Sequence, residues 1–298
     1  MVLSGCEDFD SYLKSTSTDA SATDASSSDA SLTDATSTDS GEDFSLWSLF
    51  GLSDEEETEE DRKVRVVKRA KKYISRSRGY SYEGLIEQLE YEKFTSEEAI
   101  YGADNCEADW NQEAVEQAKS YISRSRGYSY ERLIEQLEYE KFTSEEATYG
   151  ADNCEADWNL EVVKRAKNYI SGSMGFSYEG LIEQLEYEKF TSKEATYGAD
   201  NCEADWNQEA VEQAKGYIRS GDFSYEGLIE QLEYEKFTSE EAIYGADNCE
   251  ADWNQEAIDC AESYLSWTDF SRSELISQLI YEGFSQEQAE TAATANGK

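Results

Sequence analysis

The segment LIEQLEYEKF occurs at residues 85–94, 133–142, 181–190 and 228–237, and a divergent copy, LISQLIYEGF, sits at 275–284. Successive copies lie 48, 48, 47 and 47 residues apart, with a one-residue deletion before Phe223. A fixed period of this length marks a tandem array in which each unit is one supersecondary module. The period predicts five units, at 62–108, 109–156, 157–204, 205–251 and 252–298.

Each unit reads as three short helices, so the expected class is all-α. In one, Trp110, Ala114, Val115, Ala118, Tyr121 and Ile122 recur at steps of three to four, the single face of a 3.6-residue helix. Asp109 stands where a cap belongs, with Gln112 three residues on as in a capping box, and Gly127 marks the end. A second stripe holds Tyr82, Leu85, Ile86 and Leu89 behind the cap Ser81. In the third, Thr95 or Ser96 caps, Glu97 or Glu98 supports it, and Ala99 and Ala103 share a face. Helices this short are not stable alone. Stacked copies of the unit can share a core.

The chain ahead of the array has a different composition. Residues 1–6 end in Cys6. The stretch 15–40 repeats Ser, Thr, Ala and Asp with a five-residue period, and it has almost nothing to bury, so 7–61 is expected to be a disordered tether ending in an acidic run. Within it lies one short apolar run, FSLWSLFGL, at 44–52. The basic segment RKVRVVKRAKK follows at 62–72. It either neutralises the acidic run before it or meets anionic lipid or wall polymer.

The segment YGADNCEADWN, beginning at Tyr101 and copied at Tyr149, Tyr197 and Tyr244, raises the question of a metal site. Asn105, Glu107, Asp109, Asn111, Glu113 and Glu116 have the spacing of an EF-hand loop, but Trp110 occupies the position that must be glycine. One Cys per unit and no His cannot supply a zinc site. Cys106 continues the face of Ala99 and Ala103, and a small buried Cys behaves as a hydrophobe. The repeat signature Cys106, Trp110, Cys154, Trp158, Cys202, Trp206, Cys249 and Trp253 is therefore expected to pack the corners between consecutive helices, with the four Trp largely buried. Equivalent Cys one unit apart are too distant to pair. Cys260 aligns with Gln117, Arg165 and Gln213, which predicts an exposed thiol.

Charge excludes several function classes. Lys plus Arg total 26 against 66 Asp plus Glu, a formal charge of −40, and there is neither His nor Pro. Residues 73–120 alone carry eleven acids and four bases. A helix-turn-helix unit would set YEGLIEQLEYE against phosphate, so nucleic acid is not an expected partner. No nucleophile–base pair, phosphate-cradling glycine loop or pair of carboxylates in contrasting surroundings occurs. No enzymatic activity, cofactor, metal or small-molecule substrate is expected.

VLSGC at 2–6 fits a lipobox, with Cys6 as the lipidated residue and the tether directly after it. A signal peptide belongs ahead of such a Cys, of which Met1, Val2 and Leu3 would be the remainder. Together with YSYEGLIEQLEYEKFTSEEAIYGADNCEADWNQEAVEQAKSYI, this resembles the Ltp-type host cell surface-exposed lipoproteins. The likeness rests on LIEQLEYE-F, EA-YG-D, DWN-EAV-QAKSYI and Cys6, and it covers residues 62–298. The chain differs in its five units and in a first helix without Asp-Trp-Asn. The resemblance implies a lipid-anchored protein on the outer face of the bacterial membrane. It further implies exclusion of superinfecting phage by blocking DNA injection through the phage tape measure protein.

Charge alone predicts a basic protein partner, taken up on an acidic repeat face. Glu87, Glu90, Glu97, Glu135, Glu138, Glu145, Glu183, Glu186, Glu230 and Glu233 are the candidate contact residues. The alternative is a structural or adhesive repeat protein of the cell envelope with no role against phage.

Overall fold

The computed structural model describes residues 58–75, 79–172 and 174–298; Cys6, the tether, the apolar run at 44–52 and the acidic run up to residue 57 lie outside them. Among the described residues there are fifteen helices and no strand, in five triplets. The first repeat holds α1 (Glu59–Ile74), α2 (Tyr82–Tyr91) and α3 (Ser96–Asp104). The second holds α4 (Trp110–Arg124), α5 (Tyr130–Tyr139) and α6 (Ser144–Asn153). The third holds α7 (Trp158–Ile170), α8 (Tyr178–Tyr187) and α9 (Ser192–Asn201). The fourth holds α10 (Trp206–Ser220), α11 (Tyr225–Tyr234) and α12 (Ser239–Asn248). The fifth holds α13 (Trp253–Trp267), α14 (Arg272–Tyr281) and α15 (Gln286–Ala295). This is the all-α array of three-helix repeats that the sequence period predicts.

Local chemistry sets the helix ends. Thr95 caps α3, accepting from Glu98 N at 3.2 Å, while the Glu98 carboxylate accepts from Thr95 N at 2.9 Å. This reciprocal pair satisfies two donors that the helix itself cannot. Asp109 caps α4 through Asn111 N and Gln112 N, but Gln112 does not close a box; its amide donates forward to Glu116 at 3.0 Å. Composition assigns Glu59, Glu60 and Asp61 to the tether. The structure corrects this: Thr58 and Asp61 form a capping box, and the three acids are the first turn of α1. Acids there meet the positive end of the helix dipole.

The second helices stop in a common way. Lys93 N donates to Glu90 O at 2.9 Å and Phe94 N to Leu89 O at 3.2 Å, with Lys93 at φ 73°. That is a Schellman ending, and it folds Phe94 back onto the helix it leaves. Lys141, Lys189 and Lys236 take the same left-handed conformation, and the fifth repeat has Gly283 there.

Each repeat buries its own core. In the first, Leu85 and Leu89 from α2 meet Val66 and Ala70 from α1, Ala99 and Ala103 from α3, and Phe94 and Cys106. The first and third helices pack most closely. A Cβ at Gly102 would fall 2.8 Å from Val66 Cγ2, and one at Gly150 would fall 2.9 Å from Ala114 O. Five separate clusters recur along the chain in place of one shared core.

The Cys behave as their face predicts. Cys106, Cys154, Cys202 and Cys249 are buried and unpaired, and Cys106 Sγ donates to Ala103 O at 3.1 Å. The Trp pack the corners as well: Trp110, Trp158, Trp206 and Trp253 are partly buried, each against the core of the repeat before it. Each stands at the first position of its helix and presses edgewise on a Tyr of the preceding repeat, as Trp110 does on Tyr82 with centroids 5.5 Å apart at 88°. An aromatic at a helix start can cover a neighbour's core from one side only. These Trp are joints between repeats.

Candidate protein-binding surface

Besides these aromatic contacts, consecutive repeats meet through polar ones. The loop before α2 lies against α4 so closely that a Cβ on Gly79 would fall 2.2 Å from Glu113 O, and one on Gly127 would fall 2.4 Å from Glu161 O. Gly127 therefore serves the joint rather than the end of α4, which stops at Arg124. Tyr80 N donates to the buried Glu113 carboxylate at 3.1 Å, and Phe176 N donates to Glu209 at 3.1 Å. Glu161 accepts from Tyr128 N and Ser125 Oγ and pairs with Lys164 at 2.6 Å. Burial pushes the Glu113 and Glu256 carboxyls above their ordinary value and Glu209 up to about 7. Ser81 Oγ adds a bond to Glu140 O at 2.6 Å, repeated from Ser129, Ser177 and Ser224.

Inside each repeat a second polar cluster forms where the first helix passes the end of the second. Tyr73, Tyr121, Tyr169, Tyr217 and Tyr264 donate to Glu92, Glu140, Glu188, Glu235 and Glu282. Gln88, Gln136, Gln184, Gln231 and Gln278 brace the Tyr hydroxyls. Arg69 and Arg165 pair with the carboxylate in repeats one and three. The Arg69 hydrogen bond holds Glu92 below its ordinary value, while burial takes Glu235, with only the Gln213 amide in that place, up to about 7.

Cys260 occupies the corresponding position in the fifth repeat, and alignment with polar residues predicts exposure. The structure corrects this: Cys260 is buried, and burial pushes its thiol up to about 12. Arg165 and Gln213 at that position bond the carboxylate at the end of the second helix, so polarity there is no sign of exposure.

The predicted contact glutamates divide into groups. Glu87, Glu135 and Glu183 pair across the joints with Lys141, Lys189 and Lys236. Glu230 has no such partner, because Gly283 replaces the lysine. Glu138 and Glu233 accept from Ser144 and Ser239 at the turn into the third helix. Glu90 is half-buried, and Glu97, Glu145 and Glu186 are exposed. The basic segment 62–72 is helical, and its cations turn inward as much as backward. Lys63 pairs with Glu59 of the acidic run, but Arg62, Arg69 and Lys71 pair with Glu98, Glu92 and Glu107 of their own repeat's helices and turns.

Two rows of exposed tyrosines escape the sequence reading. Tyr91, Tyr139, Tyr187, Tyr234 and Tyr281 end the five second helices, and Tyr91 is 80% exposed. Tyr101, Tyr149, Tyr197 and Tyr244 lie on the third helices, also exposed. Their one-turn spacing from a Glu was legible: Glu87 and Tyr91, or Glu145 and Tyr149, are four residues apart and share a helix face. Among the described residues no group of acids and Cys has the geometry to hold a metal ion. No helix among them is long and apolar enough to cross a membrane.

A family model described as host cell surface-exposed lipoprotein matches the chain five times, at residues 61–106, 109–154, 157–202, 205–249 and 252–293. No curated protein and no solved structure matches it.

Proposed function

Because the chain belongs to the family of host cell surface-exposed lipoproteins, we propose that it is a tethered capture module, anchored in the membrane through lipid on Cys6 and holding its acidic repeats outside the cell. The repeats bind a basic protein segment. The segment proposed is that of a phage tape measure protein, whose capture stops DNA injection and excludes superinfecting phage. The observation that carries this reading is the distribution of charge. Many lysines and arginines of the repeats are committed to ion pairs within the array, while Glu97, Glu145, Glu186 and Glu230 stay exposed with no cationic partner among the described residues. Such a field favours fast, salt-sensitive capture of a cation. Five units on one chain also let a long partner engage several at once, which raises avidity without new contacts.

The test is a phage challenge of cells with and without the gene, scoring adsorption and DNA entry separately. Normal adsorption with blocked entry is expected. Equal DNA entry in both strains would refute exclusion and leave the envelope adhesin reading in its place. A Cys6→Ser chain is expected to leave the membrane fraction for the medium, because a doubly acylated Cys is the anchor.

A further inference from the structure

The first repeat contains a filled version of a slot that other repeats leave open. Lys63 Nζ lies 5.5 Å from the centroid of the Tyr101 ring and 2.6 Å from Glu59 Oε1. A cation within about 6 Å of a ring face is held by the ring quadrupole. The position of Lys63 is taken by Asn111, Asn159 and Asn207 in the next three repeats, while the ring recurs as Tyr149, Tyr197 and Tyr244. Those rings are 41–44% exposed, and their hydroxyls make no hydrogen bond. No burial or hydrogen bond within the array accounts for them. The fifth repeat has Thr291 at the same place, exposed on α15, so the helix forms without the aromatic.

We infer that Tyr149, Tyr197 and Tyr244 are open cation slots that take lysine side chains of a basic polypeptide, one per repeat, as Lys63 fills the slot on Tyr101. The inference rests on the capture reading above and names its contact surface. Charge complementarity selects the occupant. Glu145 and Glu240 stand one turn before Tyr149 and Tyr244 on the same helix face, exposed and without an ion-pair partner. The combination of ring face and carboxylate suits an ammonium group. In the third repeat Lys193 replaces that Glu, so the slot at Tyr197 is the weakest of the three. The rings recur at the repeat period, so a polypeptide with several lysines finds one slot in each of these three repeats.

The test uses the full chain and labelled poly-L-lysine, read by fluorescence anisotropy at low salt. Replacing Tyr149, Tyr197 and Tyr244 by Thr keeps the net charge and copies the residue that the fifth repeat already carries. An exposed cation–ring contact is worth a factor of about two to five, so the triple variant is expected to bind about tenfold more weakly, with unchanged far-ultraviolet dichroism. Tyr197→Thr alone is expected to have the smallest effect. Lys63→Asn opens a fourth slot and is expected to raise affinity more than Lys68→Asn, which removes the same charge from a place with no ring. Wild-type affinity in the triple variant, or equal effects of the two Lys variants, overturns the slots and leaves acidic capture standing. Failure of the unaltered chain to bind poly-L-lysine overturns both.

Discussion

The four joints inside the array and its two ends use the same positions for different chemistry. At the joints a buried Glu on the first helix of one repeat receives an N–H from the loop of the repeat before it. The first repeat has no predecessor, and Arg65 stands at that position, its guanidinium 4.9 Å from the Phe94 ring centroid. At the other end Ser271, which corresponds to the joint-forming Ser81, instead donates to Glu274 at 2.6 Å and closes its own capping box. Gly84, Arg132, Gly180 and Gly227 hold the place of Glu274 in the other repeats. The repeats are near copies in sequence, but the positions that build the joints carry other contacts in the first and fifth repeats. Terminal units of such arrays are atypical because one face has no neighbour to bury it.

The sharpest way to break the comparison is at a joint glycine. Gly127→Ala puts a Cβ against Glu161 O and Arg165 N at φ 107°. It is expected to cost about 3 kcal/mol or more, since backbone cannot yield as a side chain can. Urea unfolding is expected to split into two transitions on either side of that joint. Gly221→Ala, at φ 84° and ψ 172° but with open space around it, carries the backbone strain alone; it is the control and is expected to cost about 1–3 kcal/mol, less than Gly127→Ala.

Removing the joint carboxylate comes next. Glu161→Ala leaves Tyr128 N–H, Ser125 and Lys164 without their acceptor. A loss of about 2–4 kcal/mol is expected in chemical denaturation. Arg65→Ala, at the same position of the first repeat, breaks no joint between repeats and is expected to leave the boundary between the first two repeats intact. Equal losses at both positions would erase the distinction between joint and end.

Acid sharpens the contrast among repeats. Burial raises Glu209 and Glu235 to about 7 in the folded chain, from 4.5 ordinarily. A carboxyl with a raised folded value binds its proton more tightly when folded. Stability is therefore expected to grow as pH falls from above 7 toward about 4.5, and to level off below it. Glu235→Gln is expected to stabilise the fourth repeat by about 1–2 kcal/mol at pH 8 and to flatten its share of that pH profile. Glu92, held low beside Arg69, is expected to show the reverse sign, losing stability as pH falls through its depressed value. Thermal melts of each Gln variant from about pH 3 to pH 8 check both.

The smallest effect is expected at the left-handed lysines. Lys141→Gly relieves φ 69° but removes the ion pair to Glu87. The two effects have opposite sign, so the net change is expected to be the smallest of the set. Gly283 is the natural instance, and there Glu230 goes unpaired. A measured loss above about 1 kcal/mol would give the exposed pair a larger part in the joint.

The sequence by itself determined the repeat number, the three helices of each repeat, the caps at Ser81, Thr95 and Asp109, and the burial of Cys106 and its copies. All of these follow from spacing within one helix or from a side chain bonding backbone two or three residues away, and such relations are written in consecutive residues. Tertiary structure alone decided which polar residues are buried. Glu113 on α4 looks like any other acid of a solvated face until the loop of another repeat closes over it. Cys260 looks exposed because Gln117, Arg165 and Gln213 are polar, yet the position faces the carboxylate at the end of the second helix. Trp110 reads as core from its stripe, but it starts its helix and so reaches only the rim of the preceding repeat. A polar side chain is buried when a partner group and a neighbouring element arrive together, and helical periodicity carries no record of an element about 30 residues away. The open rings of Tyr149 and Tyr244 are the converse case, since only the packed array reveals that none of the described residues covers them.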